Sequence, residues 1–152
     1  MVLLHQRHVS DRHDISVLYA LSLAGISPKD TKFQKALRAL LEKVDRLSVN
    51  DTTTYELGLG ILALEIIDRK RFRKEIAKMR GILINRQADS GGWDYRAPSY
   101  MQTGNRQQQR TDWSNSQFAI LALTAAERAE ALAAMPTSDA APPSTGRTFV
   151  NT

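Results

Sequence analysis

The sequence predicts an all-α domain built from helical hairpins, and three observations carry that prediction. Apolar residues recur with the 3.6-residue period of a helix over five stretches, while strand-type alternation is scarce. Helices apolar on every side alternate with amphipathic ones, so some must be surrounded while their neighbours face water. A polar helix start also repeats: Asp14-Ile15-Ser16, Asp51-Thr52-Thr53 and Asp112-Trp113-Ser114 each precede an Ala/Leu-rich run. The first two starts lie 37 residues apart and the second pair 61, which becomes 43 when the 18 polar residues 94–111 are set aside. A period of about 40 residues with two helices per unit describes a stacked array of hairpins.

In chain order, residues near 14–25 form the first helix, with Ile15, Leu18 and Leu21 inward and Gly25 and Ser27-Pro28 ending it. Residues near 30–46 form a second, charged on one side and carrying Phe33, Leu37, Leu40, Leu41 and Val44 on the other. A third, near 52–67, is almost wholly apolar. The fourth, near 69–86, is strongly basic, and the fifth spans about 113–134. Asp, Ser and Thr at these starts accept hydrogen bonds from amide groups that a helix leaves unpaired. Gly58 and Gly60, inside the apolar third helix, are expected at close helix contacts.

Composition narrows the chemistry. The 152 residues include no cysteine, which excludes disulfides, thiolate metal sites and cysteine nucleophiles. No apolar run approaches the roughly 18 residues of a membrane span, and the apolar start Met1-Val2-Leu3-Leu4 is too short for a secretory signal. The net charge of +5 is concentrated in Arg69, Lys70, Arg71, Arg73, Lys74, Lys78 and Arg80. Phe72, Ile76, Met79 and Leu83 make a buried stripe in the same helix, so the cations are expected on its wet face. Without a stacking platform or glycine-rich loop beside them, nucleic acid is disfavoured as a partner.

The fourth helix closes with Gln87-Ala88-Asp89-Ser90-Gly91-Gly92-Trp93. A glycine there takes a positive φ that other residues resist. Trp93 offers a large apolar body with one N–H donor, and Gln87 has both donor and acceptor to tie the helix end to the loop. With Arg80-Gly81 before it and Asp112-Trp113-Ser114-Asn115-Ser116-Gln117-Phe118 opening the next helix, this segment resembles the glutamine–tryptophan repeat of the prenyltransferase and squalene-cyclase superfamily. The resemblance covers roughly residues 13–128, and one unit carries the full signature. It implies a partial α/α toroid of about five main helices over 13–134, an inner ring inside an outer one. A frayed segment 1–12 and a disordered tail 135–152, rich in small and polar residues, are expected to flank it.

The resemblance also frames the candidate site. Cyclases of this superfamily protonate an alkene with an aspartate-rich motif at an inner-helix start, where this chain has Asp112-Trp113-Ser114-Asn115. A hydroxyl and an amide cannot deliver that proton, so Asp112 is expected as a helix cap and no catalytic residue is assigned. The zinc site of protein-prenylating relatives cannot be assembled without cysteine, and no metal or cofactor is expected. Tyr55, Glu56, Asp112 and Asn115 are candidates for a cavity mouth, with Gln87, Gly91, Gly92 and Trp93 as the structural repeat motif. Glu56 at the third helix start also suits the helix dipole. His5, His8 and His13 have loosely metal-like spacing in the expected frayed end, and Tyr100, Arg106 and Arg110 belong to a polar loop placed to reach a ligand only by folding over the helix ends. The expected function is a scaffold or binding module without a catalytic acid. The alternative is a fragment of a terpenoid cyclase-like or prenyltransferase-like enzyme. Expected partners are an apolar or isoprenoid ligand and a second copy or partner chain completing the toroid.

Overall fold

The computed structural model describes residues 14–48, 52–95 and 111–134, which form five helices with no strand among the described residues. These are α1 (14–23), α2 (Thr31–Asp45), α3 (Thr54–Asp68), α4 (Arg73–Asn85) and α5 (Trp113–Ala134). The segment 1–12, the three histidines, the loop residues Tyr100, Arg106 and Arg110, and the tail 135–152 lie outside the described residues.

The boundaries have local causes. Gly25, at φ +66°, ends α1 in a Schellman arrangement, its N–H reaching the Ser22 carbonyl while the Ile26 N–H reaches that of Leu21. Asp30 starts α2 by accepting from the amides of Lys32 at 2.8 Å and Phe33 at 3.1 Å. Thr53 and Glu56 start α3 as a reciprocal capping box. The basic helix begins at Arg73 rather than Arg69, because Asp68 closes a turn first: its side chain accepts from the Arg71 amide and its carbonyl from that of Phe72, both at 3.0 Å.

Contacts between helices set their directions. Lys43 of α2 meets Glu56 of α3, and Leu40 lies against Gly60, so α2 runs antiparallel to α3. Met79 of α4 also lies against Gly60, and Arg86 just beyond α4 bonds to Thr52, so α4 is antiparallel to α3 as well. Ile15 of α1 shares a small void with Val44 and Leu57, which puts the starts of α1 and α3 at the same end. The most extensive packing is α3 on α5. The result is a helical bundle in which α3 packs against α2, α4 and α5.

Residues Glu56 to Leu64 are buried without interruption, as an all-round apolar helix packed against α2, α4 and α5 requires. The glycines within it mark close approaches: a β-carbon at Gly58 would meet the Phe118 carbonyl oxygen at 3.2 Å, and one at Gly60 the Met79 sulfur at 3.0 Å. Helix α5 buries Asn115 and a ladder of alanines (119, 122, 125, 126, 129) that lets it approach α3 closely. Its other side is bare, with Trp113 87% exposed, Ile120 57% and Leu121 55%.

The stripe Phe72, Ile76, Met79 and Leu83 is buried as its spacing predicts. Two cations of the same helix are not simply solvated. Lys78 donates to the carbonyls of Val44 at 2.6 Å and Asp45 at 2.9 Å, satisfying the C-terminus of α2. Arg80 reaches Glu130 of α5 at 3.0 Å.

Candidate functional site

At the end where α1, α3 and α5 begin, a cavity of about 180 Å³ opens between α1, the start of α3 and the strap after α4. Ile15, Ser16, Thr53, Tyr55, Glu56, Leu59 and Tyr95 line it. Tyr55 is held against Phe118 of α5, ring centroids 4.2 Å apart and planes tilted by 54°. The strap is tied down by main-chain bonds, since the Thr54 amide donates to the Tyr95 carbonyl at 3.0 Å and the Thr54 hydroxyl to that of Asp94.

Glu56 borders the cavity, yet its carboxylate is committed to the fold. Oε1 accepts from Lys43 Nζ at 2.9 Å. Oε2 accepts from the Thr53 amide at 2.8 Å and from the hydroxyls of Thr52 and Thr53 at 3.1 Å. Burial pushes its pKa up and is the largest single influence, but the Lys43 bond and charge and the Thr53 donors together hold it below the ordinary 4.5. Behind it lies Arg86, 1% exposed, whose Nη2 donates to the Thr52 carbonyl at 2.7 Å. Burial lowers the Arg86 pKa against the opposing pull of Glu56, and a guanidinium stays charged even so. The cluster is thus an ionised knot joining α2, α3 and the end of α4.

Lys43 and Arg86 are not among the residues that the sequence singles out. Arg86 nevertheless continues the spacing of Phe72, Ile76, Met79 and Leu83 by one more helical step, which marks it as inward-facing.

Asp112 and Asn115 do not line the cavity. Asp112 caps α5, accepting from the Asn115 amide at 2.9 Å, the Asn115 side-chain amide at 3.0 Å and the Ser114 hydroxyl. The Ser114 hydroxyl first, then the Asn115 donors, hold its carboxyl below the ordinary range. Asn115 is fully buried, and its Oδ1 has no hydrogen-bond partner.

Gln87, Gly91, Gly92 and Trp93 form the joint between α4 and α5. Gln87 Nε2 donates to the Gly91 carbonyl at 2.8 Å, and Gly91 sits at φ +86°. Trp93 is 3% exposed, its Nε1 donating to the Leu83 carbonyl at 2.7 Å. Its main chain clasps α5: the amide donates to Ser116 Oγ at 3.0 Å and the carbonyl accepts from the Asp112 amide at 2.8 Å. Gly92 lies against this clasp, and a β-carbon there would sit 2.8 Å from Thr111 Cβ. Gly92→Ala is therefore expected to destabilise the domain by about 1–3 kcal/mol, as overpacking does. Urea unfolding of the variant checks this, and an unchanged midpoint would show that the joint yields without cost.

Among the described residues no group of His, Asp and Glu is placed to hold a metal ion. Comparison of the chain with protein-family models, curated proteins and solved structures finds no match.

Proposed function

We propose that the chain is a repeat module of the prenyltransferase and squalene-cyclase type, a partial α/α toroid acting as a scaffold or binding domain. What supports this most is the joint at Gln87–Trp93, which pins the end of α4 to the start of α5 through Leu83, Ser116 and Asp112. A non-catalytic role is favoured by the commitment of Glu56 and of Asp112 Oδ1 to hydrogen bonds within the fold. In this proposal the bare side of α5 takes a further helical unit from a second copy or a partner chain, which covers Trp113, Ile120 and Leu121.

The alternative is a part of a terpenoid cyclase-like or prenyltransferase-like enzyme acting on isoprenoids, and the aromatic lining at Tyr55 and Tyr95 favours it. Its size is a restraint. A cavity of about 180 Å³ is close to the roughly 150 Å³ that holds one benzene, enough for a single isoprene-sized group rather than a long chain.

Light scattering over a concentration series tests the leading proposal. A discrete closed oligomer that reverts to monomer in the exposed variant Ile120→Glu is expected. A wild-type monomer at every concentration, with no partner retained on the α5 face, would overturn the association.

A further inference from the structure

The two ends of the helix bundle differ in chemistry. Leu40, Gly60 and Met79 lie at one level, and from there α2 and α4 begin, and α3 finishes, within about 9–14 Å along their axes. The α1–α2 and α3–α4 turns therefore share one end, opposite the cavity. That end exposes Lys29 and Lys32 at the first turn and Lys70, Arg71, Arg73 and Lys74 at the second. Of its acidic groups, Asp30 and Asp68 cap turns by accepting main-chain amides, Glu65 pairs with Arg69 and Arg128, and Glu75 of α4 is partly buried, so the exposed cations outnumber them. Among these cations stand aliphatic side chains that the fold leaves outside. Leu23 is 62% exposed, Ile26 40% and Ile66 41%.

We propose that this end docks on an anionic phospholipid surface. Leu23 and Ile26 enter the headgroup boundary while the cations of both turns lie against lipid phosphates. Cations alone would suit any polyanion, but exposed aliphatic residues gain nothing from a nucleic-acid backbone. Phe72, the aromatic residue of the α3–α4 turn, is 3% exposed and offers no face for a base to stack on. The docking is peripheral, since no described helix is long and apolar enough to cross a membrane. It stands independently of the repeat-module reading.

Sedimentation of the full chain with vesicles tests it, comparing phosphatidylcholine alone with a phosphatidylcholine–phosphatidylserine mixture. Binding to the mixture only is expected. Lys70→Gln with Lys74→Gln should weaken it about thirtyfold, from the usual contribution of a lysine at such a surface. Leu23→Ser with Ile26→Ser should weaken it several-fold, and circular dichroism should show all variants folded. Absence of binding, or equal binding to neutral vesicles, would overturn the proposal. So would binding that ignores the Leu23 and Ile26 changes and is matched by duplex DNA, which would mark a general polyanion surface.

Discussion

Trp93→Ala is expected to cost about 3–5 kcal/mol, as truncation of a buried tryptophan does. Against a total stability of about 5–15 kcal/mol for a domain, that is enough to leave a large part of the chain unfolded at moderate temperature. The indole is buried in the apolar core, and its N–H bonds to the Leu83 carbonyl. Trp93→Phe separates the two contributions. The Leu83 carbonyl keeps a second donor, the Arg86 amide at 3.2 Å, so it is not orphaned when the indole N–H is lost. The phenylalanine variant should therefore lose only about 1–2 kcal/mol, roughly one net hydrogen bond and some volume. Guanidinium unfolding of both variants checks the order. Equal losses would mean that the hydrogen bond, not the aromatic body, holds the joint.

Glu56→Ala should be the second large effect. It removes the carboxylate that Lys43, Thr52 and Thr53 share, and with it the charge that acts on the buried Arg86. Breaking a buried pair from one side costs about 3–5 kcal/mol, and the 17% exposure of the Lys43 side chain places this case toward the lower limit. Glu56→Gln keeps the acceptor for the Thr53 amide and should recover part of the loss. The same group gives a pH dependence with a definite sign. Its folded pKa lies below the ordinary 4.5, so the stabilisation is complete above that value and is lost as pH falls through the folded pKa. Denaturant midpoints measured from pH 6 downward should therefore fall more steeply for the native chain than for Glu56→Gln in this acid range. Parallel curves would assign the acid sensitivity to other carboxylates.

Much of the fold was legible from spacing. The apolar stripe of α4, the almost wholly apolar α3 and the caps at Thr53 and Asp112 are statements about residues three or four apart, which a sequence displays directly. The start of α4 was less legible, because Arg69 to Phe72 have the charge and hydropathy of a helix. Only the Asp68 turn moves the boundary. At the cavity end the spacing marks Tyr55 and Glu56 only as residues of a helix start, because the lining they share with Ile15 and Tyr95 depends on packing between helices.

What the sequence by itself determined is the local architecture. Periodicity sets five helices, and the glycines and tryptophan at 91–93 set how α4 ends, since each depends on bonds within a turn or two. Tertiary structure decided which polar groups are driven inside. Lys43 and Arg86 look like surface cations in the chain, yet they meet partners 13 and 34 residues away because α2, α3 and α4 converge on one capping box. It also decided which cations stay outside, drawing Lys78 and Arg80 to α2 and α5 and leaving Lys70, Arg71, Arg73 and Lys74 at the bundle end. Charge has no periodicity that distinguishes these fates. Burial depends on what packs opposite, and that exists only once the helices have assembled.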